Sequence, residues 1–176
     1  MLMTVTFVAL TALALLLVYA AMRPDTFRVQ RTTVIKAPAS KIFALINDLK
    51  SFNNWNPFEK KDPSVTGRYS GAASGVGAAY AWSGRKIGAG HIEITASVAP
   101  SQVTMRLDSV KPLKRQNTVE FTLQARGDTI TVVTWALQGP SPYLSRLIGV
   151  AFDAEARIGK DFEAGLANLK ALTEAR

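Results

Sequence analysis

Cysteine is absent from this sequence, and its absence removes disulfides, Cys-ligated zinc, iron–sulfur clusters and thiol nucleophiles together. Histidine is almost as scarce: His91 stands alone. A transition-metal site would have to rest on carboxylates, and none cluster at a usable spacing, so no metal is expected. A Ser nucleophile would lack its base, so no triad is expected either, and no residue is assigned a catalytic role outright. Nothing calls for a cofactor. Acidic side chains number 13 against 21 Lys and Arg, leaving a formal net charge of +8. That balance favours acidic partners, anionic lipid or nucleic acid. The cations are dispersed rather than massed in one stripe, and they follow an apolar segment, so membrane lipid is the expected partner and nucleic acid is not. Gly and Pro are not in excess and 48% of the 176 residues are apolar, which fits one domain with a real core plus an appendage.

Charge is also missing from residues 1–22, a run dominated by Val5, Phe7, Val8, Leu10 and Leu13 to Val18. About 20 helical residues span a bilayer core of about 30 Å, so the run is expected to be a transmembrane anchor. A cleaved signal peptide competes, since Val18-Tyr19-Ala20 is an acceptable cleavage site, but no Lys or Arg precedes the apolar stretch. A buried core helix would want a polar face, and there is none. Arg23, Arg28, Arg31, Lys36 and Lys41 follow, opposed by Asp25. The positive-inside rule then puts the domain on the cytoplasmic side of a single-pass membrane protein. The division expected is anchor (or signal peptide) over 1–22, linker over 23–27 and one domain over 28–176.

Within the domain, Phe27 to Ile35 reads as a strand, and Pro38 opens a helical stretch through Ile42, Phe43, Leu45, Ile46 and Leu49. After the turn Asn53 to Phe58 the pattern changes to period two. Strands are expected over Val65–Tyr69, Ala78–Trp82, Ile87–Val98, Val103–Asp108, Thr118–Gln124 and Thr131–Leu137. In the fourth of the domain's strands Ile92, Ile94, Ala96 and Val98 share a face, with His91 opposite. Gly71 to Gly77 lacks the Gly-Lys-Ser/Thr ending of a phosphate loop and precedes a strand, so it reads as a hairpin. Tyr143 to Arg176 reads as one long helix. On a wheel centred on Phe162, Leu144, Ile148, Ala151, Ile158, Leu166 and Leu169 fall within about 40°. Asp153–Arg157 and Arg157–Asp161 have ion-pair spacing, and Gly149, Gly159 and Gly165 read as kinks or close-packing sites.

Val34-Ile35-Lys36-Ala37-Pro38, then Ile42 to Leu49 and Trp55-Asn56-Pro57, resembles the opening of bacterial polyketide cyclase/dehydrase-like proteins of the START/Bet v 1-like (SRPBCC) superfamily. Gly75-Val76-Gly77 with Tyr80 to Gly84, Val133-Thr134-Trp135 and the closing Gly159 to Lys170 carry the same resemblance, over about residues 28–172. It implies an α+β helix-grip fold, an antiparallel sheet wrapped around a long C-terminal helix with a hydrophobic cavity between them. Here an N-terminal transmembrane helix would precede it. The resemblance does not imply one activity, because the superfamily spans lipid carriers, cyclases, hydroxylase domains and co-chaperone modules.

Tyr80, Trp82, Met105, Leu107, Phe121, Val133 and Trp135 alternate onto the face assigned to the interior, opposite Ile158 and Phe162 of the helix. Each alone is ordinary core; as a set they suit an apolar pocket with a few polar handles. Glu155 breaks the pattern, about 20° from the centre of the helix's apolar stripe. A lone carboxylate there must be paired, protonated or wet, and it is the candidate acid/base. The expected function is a membrane-anchored module holding a hydrophobic small molecule or lipid. The rivals are a cyclase or hydrolase using Glu155, and a protein-interaction module.

Overall fold

β-Branched residues crowd the first segment of the domain, and Val29, Thr32, Thr33, Val34 and Ile35 make β1 (Thr26–Ile35). The computed structural model describes residues 2–111, 113–143, 145–147 and 154–175. Six more strands follow: β2 (Thr66–Gly71), β3 (Ala78–Gly84), β4 (Gly88–Val98), β5 (Gln102–Lys111), β6 (Arg115–Ala125) and β7 (Thr131–Pro140). They form one antiparallel sheet in the order β1-β7-β6-β5-β4-β3-β2. The strand ends nearest Thr26, here the proximal end, also hold Pro140 and the turns 84–88 and 111–115. The distal end holds the turns 98–102 and 125–131.

The helices are α1 (Leu2–Met22), α2 (Ala39–Asn47), α3 (Leu49–Trp55) and α4 (Ala154–Glu174), with a 3-10 turn over Glu59–Lys61. Asp48 separates α2 from α3 and caps the latter, accepting from the Lys50 N–H and the Ser51 hydroxyl at 2.9 Å each. Ile42, Ile46, Phe52 and Trp55 from this pair are buried on the distal half of the sheet, over β5 and β6. The C-terminal half of α4 lies along β1. Arg31 meets Glu163 at 2.6 Å, Lys170 donates to the Val34 carbonyl at 2.9 Å, and the Lys36 N–H donates to Glu174 at 2.7 Å. Phe162, Leu166 and Leu169 are buried, as the wheel predicts. Gly165 is a close-packing site, since a Cβ there would press on the Trp135 indole. Asp161 pairs with Lys61 rather than Arg157. Leu144, Ile148, Gly149, Ala151 and Asp153 lie outside the described residues, so α4 is defined from Ala154 onward.

Alternation holds along β6 and β7, where Val119, Phe121, Leu123, Thr131, Val133, Trp135 and Leu137 are all buried. It fails along β4. The register shifts between Ile94 and Ala96, so Ile92 and Ile94 are buried while Ala96 and Val98 turn outward. A bulge inserts one residue and reverses the faces beyond it. Ser97 then points inward, bonding Asn47 at 2.8 Å. Gly71, Gly75 and Gly77 take positive φ, which explains a glycine-rich β2–β3 hairpin without a phosphate.

In α1, Phe7, Val8, Leu10, Leu15 and Val18 are exposed. Among the described residues no helix is long and apolar enough to cross a membrane, and in α1 the side chains of Leu2, Ala9, Ala12 and Leu13 are outside that description. The transmembrane helix expected over residues 1–22 is therefore not shown by the fold. The end of α1 is tied to the domain: the Tyr143 hydroxyl donates to the Leu17 carbonyl at 3.0 Å, and Arg146 donates to the Arg23 carbonyl at 2.7 Å.

Candidate ligand-binding cavity

A sheet strongly curved around one helix cannot be filled by that helix alone, and here α2 and α3 plug only the distal half. A cavity of about 350 Å³ remains in the proximal half, between the sheet and α4. Its floor is Tyr80 and Trp82 of β3, Ile92 of β4, Leu107 and Ser109 of β5, Arg115, Asn117 and Val119 of β6, and Trp135 and Leu137 of β7. Ile158 and Phe162 of α4 form the roof, with Phe52 and Phe58 at the distal wall. Burial falls along its length. Phe52, Asn117, Trp135 and Phe162 are buried, whereas Phe27, Ile87, Leu107, Arg115 and Ile158 are half-buried, so the cavity opens toward the proximal end.

Of the predicted residues, the structure gathers Tyr80, Trp82, Leu107, Trp135, Ile158 and Phe162 around this space. Met105, Phe121 and Val133 are on the inward face but do not line it. Each is fully buried, because α2 and α3 cover their half of the sheet. Phe121 packs at 6.0 Å from Phe52 and 5.9 Å from Trp55. Glu155 is a correction. It is exposed in the first turn of α4, where a helical wheel gives an angle but not whether any wall stands opposite. His91 is half-buried, paired with Asp108 across the sheet, and does not line the cavity.

Trp135 is the centre of the distal wall. Its ring stacks on Phe162 at 4.1 Å and 9°, and meets Phe52, Trp55 and Phe58 edge-on. Tyr80 and Trp82 stack at 6.3 Å, and glycines beneath make room: a Cβ on Gly67 would strike the Tyr80 phenol, and one on Gly90 the Trp82 indole.

Polar groups missed by the sequence reading complete the site. The Trp55-Asn56-Pro57 turn is built by Trp55 Nε1 donating to the Leu45 carbonyl at 3.1 Å and the Phe58 N–H donating to Asn56 Oδ1 at 2.9 Å. That turn delivers Glu59 to the cavity, where it accepts a short hydrogen bond from the Tyr80 hydroxyl. Asn53 Nδ2 donates to the Tyr69 hydroxyl at 2.9 Å and to Glu59 at 3.3 Å. Burial raises the Tyr80 phenol well above its ordinary value, and its bond to Glu59 and the Glu59 charge push the same way. Tyr80 therefore stays a donor, committed to Glu59. Tyr69 is also raised, first by burial. Among the described residues three buried polar atoms have no partner: Arg146 Nε, outside the cavity, and, in two residues of the cavity lining, Asn117 Oδ1, an acceptor, and Trp135 Nε1, a donor. Arg115 donates to the Ser145 hydroxyl at 2.8 Å, and no carboxylate pairs with it among the described residues.

Ser109, Arg115 and Asn117 were readable by extending the period-two pattern of β5 and β6 back toward their turn. Glu59 carried no such signal, because a loop and not a strand positions it. Among the described residues no cluster of His, Asp or Glu could hold a metal ion.

A seven-stranded antiparallel sheet holding a C-terminal helix over a cavity is the helix-grip architecture of the START/Bet v 1-like (SRPBCC) superfamily. Residues 26–174 match the family described as polyketide cyclase / dehydrase and lipid transport, and the chain belongs to that family. Solved structures agree on the fold. The major latex-like protein 151 of Panax ginseng is 13% identical with a TM-score of 0.61, over 86% of this chain and 100% of that one. The Aha1 dimer from Colwellia psychrerythraea gives 16% and 0.60, over 84% and 96%. The di-domain ARO/CYC BexL of the BE-7585A biosynthetic pathway gives 16% and 0.58, over 90% of this chain and 53% of that one. At these identities the likeness is one of fold. No curated protein matches the chain.

Proposed function

We propose that this protein is a membrane-anchored carrier or receptor for an elongated hydrophobic molecule bearing polar groups. One observation carries the reading: a cavity of about 350 Å³ walled by aromatic and aliphatic side chains is also lined by Asn117 and Trp135, whose Oδ1 and Nε1 are buried without a partner among the described residues. A buried polar atom without a partner costs ~1–3 kcal/mol, so the site is incomplete until something pairs with it. Four residues of strand, ~13 Å, separate the two positions, which favours a long molecule with a hydrogen-bond acceptor at its deep end and a hydroxyl nearer the opening. The description of the family, which includes lipid transport, and the ARO/CYC neighbour are in keeping with such a ligand. Catalysis would have to use Glu59, the one carboxylate lining the cavity among the described residues, and Glu59 is already bound to Tyr80.

The uncharged helix Leu2–Met22 is the anchor in this reading, with the domain on the cytoplasmic side where Arg23, Arg28 and Arg31 follow it. The full chain is expected to stay in the membrane fraction through high salt and an alkaline wash. A mature chain starting near Ala21 would replace the anchor with a cleaved signal. The ligand reading is tested by gentle purification and mass spectrometry of what co-purifies, followed by rebinding. An apolar compound released stoichiometrically supports it; a folded chain that carries none and binds none from a panel of acyl and polycyclic compounds overturns it.

A further inference from the structure

Several cations gather at one end of the fold. The topology brings Arg23, the β3–β4 turn with Arg85 and Lys86, the β5–β6 turn with Lys111 and Lys114, and Arg115 and Arg146 to the proximal end. Opposing them among the described residues are Asp25, Asp62 and Glu155, and Asp62 is buried and already bonded to the Lys86 and Ile87 N–H groups. Some cations elsewhere are paired locally, as in Arg28–Glu120, Arg31–Glu163, Lys61–Asp161 and Arg106–Glu93. Arg85, Lys86, Lys111 and Lys114 are exposed and form no ion pair among the described residues. The distal turns differ: 99–101 is uncharged, and Arg126 is offset by Asp128.

Apolar groups stand among those cations. Val110 is 48% exposed and Leu113 57% exposed, at the tip of the β5–β6 turn. Tyr143 is exposed beside the end of α1, to which it is hydrogen-bonded. The cavity also opens on this end, past Phe27, Ile87 and Arg115. Cations around an exposed apolar tip, at the place where an apolar helix leaves the domain, complement a bilayer surface: the tip enters the headgroup layer and the lysines meet anionic lipid.

We propose that the proximal end, with Leu113 at its tip and Lys111, Lys114, Arg85 and Lys86 around it, docks on an anionic phospholipid leaflet and holds the cavity mouth against it. This rests on the reading of the cavity as a ligand site and of α1 as the anchor, and it adds what neither contains: a second, reversible contact that sets the mouth toward the lipid. An apolar ligand then passes between bilayer and cavity without crossing water.

The chain holds no cysteine, so Leu113→Cys gives a unique position for an environment-sensitive fluorophore, with Asp128→Cys at the distal end as the control. The labelled full-length chain is mixed with vesicles of phosphatidylcholine alone, or of phosphatidylcholine with phosphatidylserine, and floated on a density gradient. The expected result is a blue shift at position 113 on the anionic vesicles only, absent at position 128 and reversed by salt, which shortens the Debye length. Lys111→Gln and Lys114→Gln should each weaken this docking roughly fivefold. Flotation that resists salt with no shift at 113 would leave the anchor standing and overturn the docking surface. Flotation on anionic vesicles alone, lost in salt and accompanied by the shift, would support the docking surface and overturn the anchor. No flotation overturns both. A shift produced by duplex DNA but not by anionic vesicles would assign the end to nucleic acid and overturn the proposal.

Discussion

Asn117→Leu should stabilise the empty protein while weakening its hold on a hydroxylated ligand. Asn117 is 8% exposed, and its Oδ1 packs over Gly139 with no hydrogen-bond donor in reach among the described residues. The two side chains are similar in size, so the substitution removes an unpaired acceptor without opening a large hole. The unpaired acceptor costs ~1–3 kcal/mol, and for a chain of this length each kcal/mol moves the melting temperature by about 2–4 °C. A rise of roughly 2–12 °C in Tm is the expected outcome, read by circular dichroism on the ligand-free chain. Binding is read with decan-1-ol and its methyl ether, which share an apolar body and differ in one O–H donor. The variant should bind the alcohol roughly three- to tenfold less well and the ether unchanged. A Tm that falls, together with undiminished preference for the alcohol, would show that Asn117 is a structural residue with a partner of its own and would sink the reasoning.

Three further outcomes follow from the same geometry. Trp135→Ala removes the ring that Phe162, Phe52 and Trp55 pack against, and should cost about 3–5 kcal/mol, seen as a lower urea midpoint, and weaken ligand binding as well. Because the Tyr80 phenol titrates above its unfolded value, its contribution to stability is complete below pH ~10 and is lost as pH rises through the folded value. Urea midpoints at alkaline pH should therefore fall more steeply in the wild type than in Tyr80→Phe. Asp62 is the opposite case: bonds from the Ser64 hydroxyl, then the Lys86 N–H, hold its carboxyl below the usual range, so its contribution is present above pH ~4 and lost as pH falls through the lower folded value. Asp62→Asn should flatten the acid side of the stability profile, and Asp62→Ala should also loosen Ile87 and reduce ligand affinity.

Much of the fold was legible because period two and period 3.6 are direct consequences of backbone geometry. Thr131, Val133, Trp135 and Leu137 had to share a face, and Ile158, Phe162, Leu166 and Leu169 had to share a stripe. The β4 bulge was not legible: nothing in Ile94-Thr95-Ala96 marks where one extra residue enters the ladder, and a single insertion reversed Ala96 and Val98. The site was half legible for a related reason. Alternation assigns a residue to a face, not to a position along it, so Met105 and Leu107 looked equivalent. What separates them is the helix pair α2–α3, which covers one and leaves the other beside the cavity. Glu155 misled because a wheel projects a helix onto a circle and discards the axial coordinate that decides whether a wall stands opposite.

That axial coordinate also divides the labour within the domain. An empty cavity of about 350 Å³ in a closed core would forfeit ~8 kcal/mol at ~24 cal/mol per Å³, comparable with the whole net stability of an ordinary domain. Two features keep the fold viable with such a space. The cavity opens at one end, so water or ligand occupies it, and the distal half is filled by Phe52, Trp55, Phe121 and Trp135 in mutual aromatic contact. Stability is thus concentrated where α2 and α3 close the sheet, away from the opening. The proximal half is released from packing and can carry groups that a core would reject: an Asn117 Oδ1 and an Arg115 that find no donor and no carboxylate among the described residues, and turns rich in lysine. Trp135 sits at the boundary, its face packed into the distal cluster and its Nε1 left without a partner, which is why a single substitution there should lower both stability and affinity.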